Sequence, residues 1–527
     1  MKTEKNVDLL VIGGGVNGAG ITRDAAGRGL KVILCEQGDL AGATSSASSK
    51  LIHGGLRYLE YYQFRFVREA LREREVLLGI APHIVWPASF ILPHDKGLRP
   101  ALVIEAGLFL YDWLARRKCL GRSRRLDLRT AKEGAPLKDH LTTGFAYWDC
   151  RADDARLVVL NAVDARERGA DIRTRTRCVS AKREQGTWRA TLLDMRAAAT
   201  TIVMARALVN AAGPWAAQVL SGVIGHDAGK KLRLVKGSHI VVPRIYEGDQ
   251  SYVLQNEDRR VIFVMPYEMD YTLIGTTEIP FEGDPSKARI SAEEIGYLCT
   301  AVSRYFREPL DPRDVVKSYS GVRPLIDDGA KNASAATRDY VLDLDAPEGC
   351  APLLSVFGGK ITTYRRLAED AIERLAPQLK NPRAERWTAT APLPGGDMED
   401  GDFDPFLRVL RGNYPWLDAA TVTRLARAYG TRVEMILGSA RSARDLGVDF
   451  GAGLFQAEID YLIGQEFALT AEDILWRRTK QGLHLSPAEC ARVNGYLDAR
   501  ENGKMGTATD TKRPFPSFEN WNRRPHR

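Results

Sequence analysis

The chain has 527 residues, 44% hydrophobic and 27% charged, enough for a sizeable core and too many for one ordinary domain. Its seven cysteines form no CxxC pair and no histidine stands at metal-ligand spacing, so no metal site and no disulfide framework is expected. The formal net charge of +8 suits anionic partners, whether phosphorylated compounds, lipid surfaces or nucleic acid, without choosing among them. No apolar run approaches the roughly 20 residues of a membrane-spanning helix, and the N-terminus carries no secretory pattern, so a cytoplasmic protein is predicted.

Residues 7–12 are an apolar run that reads as a buried parallel strand, and Gly13-Gly14-Gly15-Val16-Asn17-Gly18 follows directly. A helix over Val16 to Arg28 and a second strand over Lys31 to Cys35, ending at Glu36, complete a βαβ unit. Glycines at 13, 15 and 18 allow a tight turn and close approach of the backbone to a pyrophosphate. The helix N-terminus supplies N–H groups, and Glu36 can accept from ribose hydroxyls.

Ala43 to Leu59 strings small hydroxyl residues into a Gly54-Gly55 turn that carries Arg57 and Tyr58. It resembles the flavin-proximal segment of the glycine-oxidase-like flavoprotein superfamily. Ala207 to Trp215 reads as a strand ending in small residues, and Leu353 to Phe357 as a strand whose Gly358-Gly359-Lys360-Ile361-Thr362-Thr363 opens a helix to about Ala376. A helix start there can steady negative charge on a reduced flavin.

Together GGGVNGAG, ATSSASSKLIHGGLRYLE, LVKGSHIVVP, IGTTE, YSGVRPL, TRDY and SVFGGKITTYRRLAEDA resemble the aerobic, FAD-dependent glycerol-3-phosphate dehydrogenases. The resemblance implies hydride transfer from C2 of sn-glycerol 3-phosphate to flavin N5, with electrons passed to a quinone at a membrane surface. It implies a homodimer held peripherally at the cytoplasmic face of the inner membrane. The alternative is a related flavin oxidase using oxygen, or acting on an amine or amino acid. A nucleic-acid-binding protein is disfavoured, because no RNP, KH, zinc-finger or basic-stripe pattern accompanies the charge. The expected FAD contacts are Gly13, Gly15, Asn17, Gly18, Glu36, Thr44, Ser45, Ser49, Lys50, Leu51, Val179, Ala212, Gly213, Gly359, Lys360, Ile361 and Thr362.

A dianionic phosphate calls for charge-assisted donors in a planar fork, and Arg57, Arg323 and Arg338 stand in non-repetitive, Gly- or aromatic-flanked segments. The alternative for each is an ordinary surface ion pair. Pro324 biases Arg323 away from helical backbone. Tyr58 and Thr276 are further candidates for the substrate pocket, although Thr276 also suits a plain strand end. Lys360 stands where it can meet substrate oxygen or reduced flavin. His239, in Lys236 to Val242, is the preferred acceptor for the substrate's hydroxyl proton, with His53 competing.

The predicted architecture is a Rossmann-like FAD domain (1–80, 151–215, 340–385) interleaved with an antiparallel-sheet substrate domain (216–339) and a helical insertion (81–150). An all-helical C-terminal domain (390–503) and a basic, disordered tail (504–527) follow. Two stretches are candidates for a membrane surface. One is Ala101 to Leu114 with Arg116, Arg117, Lys118, Arg122, Arg124 and Arg125 after it; the other is the helix after Gly359. Burial in a core is the alternative for both.

Overall fold

The computed structural model describes residues 4–95, 99–226, 232–258, 260–326, 339–379 and 383–501, and the chain divides into two units, 1–403 and 404–527. In the first unit the apolar run at 7–12 lies in the strand Glu4–Ile12, buried from Leu9 onward, at the centre of an eight-stranded sheet. The order is Tyr340–Asp345, Leu353–Gly358, Thr200–Asn210, Glu4–Ile12, Val32–Cys35, Asp171–Arg173. Every pairing from Leu353–Gly358 to Asp171–Arg173 is parallel, and Tyr340–Asp345 is an antiparallel edge. The hairpin of Thr176–Glu184 and Thr187–Asp194 joins Thr200–Asn210 in antiparallel register.

Helix Val16–Gly27 packs between Asp154–Glu167 and Tyr364–Leu375. The approach is close: a Cβ on Gly20 would stand 2.8 Å from the Tyr364 ring. The loops after the three parallel strands Glu4–Ile12, Thr200–Asn210 and Leu353–Gly358 therefore open at the same, carboxyl end of the sheet, where α/β folds bind ligands.

The second sheet has ten strands, with the path Ile279–Pro280, Leu232–Pro243, Tyr271–Gly275, Val261–Tyr267, Ser251–Gln255, Val85–His94, Thr143–Ala152, Leu51–Ile52; Lys317–Ile326 joins Leu232–Pro243, and Arg124–Asp127 joins Thr143–Ala152. It is antiparallel except where Ser251–Gln255 meets Val85–His94. Its core includes Ile240, Val242, Leu254, Ile262, Val264 and Ile274, covered by helix Ala292–Tyr305 through Leu298, Val302 and Tyr305.

The segment 81–150, expected to be helical, instead contributes two ten-residue strands and the short Arg124–Asp127 to this sheet, with one α-helix, Ala101–Trp113. Pro87 and Pro93 within Val85–His94 remove two backbone donors and mask the strand signal. The helix Tyr364–Leu375 buries Tyr364, Leu367, Ala368, Ala371, Ile372 and Leu375 completely, so its apolar face belongs to the core and not to a membrane. Ala101–Trp113 does the opposite: it buries Ile104, Leu108 and Tyr111 but leaves Leu102 78%, Phe109 65% and Trp113 64% exposed.

The second unit is mainly helical, with Ala419–Tyr429, Gln456–Gln465 and Pro487–Glu501 among its helices. It also holds an unanticipated two-stranded pair, Asp449–Gly451 with Leu454–Phe455, turned through Ala452 and Gly453 at φ 47° and 73°. Arg338 and the tail from residue 504 lie outside the described residues.

Candidate active site

The glycine turn after Glu4–Ile12 is built by close contacts. Gly13 has φ +114°, and a Cβ there would stand 2.5 Å from the Ala211 carbonyl oxygen; one on Gly18 would stand 1.9 Å from the Gly13 carbonyl. Gly15 differs, since its Cβ would meet only Ser45 Oγ at 3.2 Å, and Gly213, at φ +56°, has nothing within 4 Å. The turn is thus packed on its sheet side and open on the side of a ligand.

Glu36 accepts from Gly14 N and Gly38 N, each at 2.7 Å. Burial pushes its carboxyl up against the pull of these amides. Each oxygen retains a second lone pair for a ribose hydroxyl. Ser45 Oγ accepts from Val16 N at 3.0 Å, the first turn of the helix. Asn17 donates through Nδ2 to the Gly358 carbonyl at 3.4 Å, across 341 residues, and its buried Oδ1 has no hydrogen-bond partner. A buried, unpartnered amide oxygen on a residue of the glycine turn suits a ligand hydroxyl. The residues present fit a dinucleotide.

The hydroxyl segment lies under the second sheet. Thr44 Oγ1 donates to the Val322 carbonyl at 2.7 Å, Tyr319 Oη donates to the Ser48 carbonyl at 3.0 Å, and a Cβ on Gly321 would come within 2.9 Å of Ala47 Cβ. Lys50 is spoken for within the protein: its Nζ pairs with Asp154 at 2.7 Å and its N–H donates to Ser48 Oγ at 2.9 Å. Lys50 and Leu51, whose side chain is buried in the strand Leu51–Ile52, therefore anchor the segment. Val179 sits at a register shift of the outer hairpin, 36% exposed.

His239 and Arg323 come from neighbouring strands, the latter opposite Val235. The ring of His239 stacks on Tyr319 at 4.9 Å, and Ser49 Oγ lies 3.0 Å from its Nε2. Burial, then the charges of Arg323 and Lys50, push its imidazole well below the usual histidine value, so it is neutral near pH 7. His239 is 1% exposed, and its buried Nδ1 has no hydrogen-bond partner among the described residues. His53 is partly exposed and exchanges long backbone hydrogen bonds of 3.3 and 3.4 Å with Thr362 Oγ1.

Arg323 donates to Thr276 Oγ1 at 3.1 Å and meets Glu278 at 3.5 Å. Gly237 makes room for it, since a Cβ there would lie 2.7 Å from both Arg323 Nη2 and Thr276 Oγ1. The carboxylate of Glu294 collects Lys236, Ser238 and Thr277 beneath, so Thr276 and Thr277 are held from behind.

Lys360 precedes the short turn Ile361–Thr363, and its Nζ sits 4.0 Å from the Tyr58 ring and 4.3 Å from that of Phe66. The rings provide a cation–π seat beside the Gly54–Gly55 turn. Arg57 lies on the same turn of chain, Leu56–Tyr61, partly buried. Glu278 and Tyr319, which complete the surroundings of Arg323 and His239, were not singled out in the sequence, although IGTTE and YSGVRPL contain them.

Residues 8–365 match the FAD dependent oxidoreductase family, and residues 386–491 match the C-terminal domain of alpha-glycerophosphate oxidase. The chain is 53% identical to a D-erythritol 1-phosphate dehydrogenase of Brucella abortus, covering 94% of this chain and 99% of that one. It is 53% identical to a glycerol-3-phosphate dehydrogenase of Pseudomonas aeruginosa, covering 93% and 95%. The crystal structure of glycerol-3-phosphate dehydrogenase from Bacillus halodurans complexed with FAD superposes with a TM-score of 0.71 at 28% identity, covering 94% of each chain. The glycine cradle, the two-sheet plan and these likenesses agree: the chain belongs to the FAD dependent oxidoreductase family and is an FAD flavoenzyme.

Proposed function

We propose that the protein oxidises sn-glycerol 3-phosphate to dihydroxyacetone phosphate and passes the electrons to a membrane quinone. The observation that carries this reading is the Arg323 guanidinium, placed between Thr276 and Glu278 on the sheet that presses against the nucleotide segment. A guanidinium fork at this place suits a phosphate dianion, with Thr276 adding a hydroxyl and Arg57 a second cation. Arg338 joins them on its sequence context alone. FAD, when bound, supplies the acceptor for the C2 hydride. The hydroxyl proton goes to His53, on the turn beside Thr362, while His239 stays neutral behind Ser49 and holds that hydroxyl in place. Lys360 keeps a positive charge beside the turn, where negative charge grows during reduction.

The exposed apolar side of Ala101–Trp113 supports the membrane partner. Leu102, Val103, Phe109, Leu110 and Trp113 are open, Tyr62 is 81% exposed, and Arg124 and Arg125 are exposed cations on the following strand. Among the described residues no helix is long and apolar enough to cross a membrane, so contact would be from the side.

The Brucella relative supports a second reading, a four-carbon polyol phosphate with the same phosphate end and a secondary alcohol. The test is anaerobic bleaching of the purified flavoprotein by sn-glycerol 3-phosphate, with D-erythritol 1-phosphate, glycerol and amino acids alongside. Bleaching by the three-carbon ester at the lowest concentration supports the first reading. Preference for the four-carbon ester moves the substrate to the second, and bleaching by an amino acid alone refutes both.

A further inference from the structure

Behind the Gly54–Gly55 turn lies a buried polar chain that the proposed chemistry does not use. Arg74, on helix Phe64–Ile80, is 1% exposed and pairs with Asp149 at 2.6 Å; Asp149, on strand Thr143–Ala152, is 2% exposed. The other carboxylate oxygen accepts from Tyr111 Oη at 2.7 Å, and Tyr111 Oη in turn accepts from Gly54 N at 2.8 Å. Burial, and then Asp149, hold the Tyr111 hydroxyl well above its ordinary titration range, so it keeps its proton.

The fit is tight at every link. A Cβ on Gly54 would stand 2.6 Å from both Tyr111 Oη and Leu71 Cδ2. Gly55 has φ +80°, and a Cβ there would stand 2.4 Å from the Tyr58 ring. Tyr58 seats the Lys360 ammonium, and the second ring of that seat, Phe66, edge-on to Tyr58 at 5.3 Å, lies on the same helix as Arg74 and Leu71. A buried ion pair is a poor stabiliser, since apolar replacements of similar volume are often as stable. What this hydrogen-bonded chain does supply, although Arg74 Nε has no partner among the described residues, is a fixed position for the group at its end. Here that group is the amide of Gly54.

We infer that Tyr111, held by the Arg74–Asp149 pair, is a positioning residue: it fixes the Gly54–Gly55 turn and, through Tyr58, the place of the Lys360 ammonium. The inference rests on the proposal that this turn borders the reacting centre. The chain also ties the turn to helix Ala101–Trp113, whose opposite side carries the exposed Leu102, Phe109 and Trp113.

The second unit contains a matched control. Tyr429 Oη donates to Glu458 at 2.6 Å, and Arg424 pairs with the same carboxylate at 2.6 Å. Tyr429→Phe thus removes the same kind of bond far from the turn in sequence. In the full-length, FAD-loaded protein, Tyr111→Phe and Tyr429→Phe are expected to retain cofactor and lower Tm alike. Only Tyr111→Phe should speed amide hydrogen exchange in a peptide spanning 53–60, shift the visible spectrum of the bound flavin, and slow its limiting reduction rate at least about fivefold with substrate affinity kept within about twofold.

Equal exchange, spectrum and limiting rate in the two variants would overturn the inference. If sn-glycerol 3-phosphate does not reduce the wild-type flavin, the substrate assignment falls, yet exchange and spectrum still decide the role of Tyr111. Should Tyr111→Phe not fold, the same readings are taken on Asp149→Asn.

Discussion

Replacing Arg323 is the sharpest test of the phosphate site. Its side chain is 23% exposed, it donates to Thr276 at 3.1 Å and it faces the carboxylate of Glu278, 14% exposed, at 3.5 Å. Hydrogen bonds to a charged group contribute about 1.5–3 kcal/mol. At about 1.4 kcal/mol per decade, Arg323→Ala should raise KM for the phosphate ester roughly 10- to 150-fold. The Glu278 carboxylate, no longer screened from the dianion by Arg323, pushes the result to the upper end, and adding Glu278→Gln to Arg323→Ala should recover part of the loss. Arg323→Lys keeps charge but loses the fork, giving an intermediate increase of about tenfold. The assay is steady-state turnover with an artificial electron acceptor over a substrate series, with bound flavin counted by absorbance so that cofactor loss is not mistaken for weak binding. A KM within about threefold of wild type for Arg323→Ala, with FAD retained, would refute the phosphate assignment.

Gly13→Ala, which combines φ +114° with a 2.5 Å contact to the Ala211 carbonyl, should yield protein depleted in FAD and not restored by added cofactor; normal flavin content would contradict the packing described. His239 is neutral in the folded protein and has a depressed pKa, whereas in the unfolded chain it titrates near 6.5. Above that value neither state binds the proton, and below it only the unfolded chain does. Stability should therefore fall by up to about 1.4 kcal/mol per pH unit as pH drops below about 6.5. The difference between wild type and His239→Gln in denaturant titrations at pH 7.5 and 5.5 isolates this contribution, and identical pH slopes would show that the imidazole is not held neutral.

Much of the nucleotide end was legible because a strand, a glycine turn, a helix and a terminal acid are local features. Val16–Gly27 and Val32–Cys35 formed close to where periodicity put them, and Glu36 stands at the end of the second strand. The strand Val85–His94 was missed since its prolines argue against a strand locally, whereas its pairing partner, Thr143–Ala152, is nearly sixty residues on. The same limit explains His239. The stacking of His239 on Tyr319 comes from the pairing with Lys317–Ile326, more than 70 residues on, which the local sequence does not show. Charge context was no better guide for Lys50, whose partner Asp154 arrives from the start of helix Asp154–Glu167, over 100 residues on. Exposed and buried amphipathic helices also look alike in sequence, which is why Ala101–Trp113 and Tyr364–Leu375 stood as equal candidates for a membrane face.

The strand order of the nucleotide sheet runs against the order of synthesis. Glu4–Ile12 leaves the ribosome first, Thr200–Asn210 much later, and Leu208 to Asn210 gain their neighbours at Leu353 to Ser355 later still. Pairings so distant in sequence assemble slowly, and until then that short edge is open to other chains. The Gly358–Gly359 turn, which meets Asn17 across the cradle, comes at the end of the same late strand. A nascent chain therefore cannot close its cofactor cradle until nearly all of the first unit has been made. Yellow colour in a preparation consequently reports completed molecules, and fragments ending before residue 353 should be colourless whatever else they manage to fold.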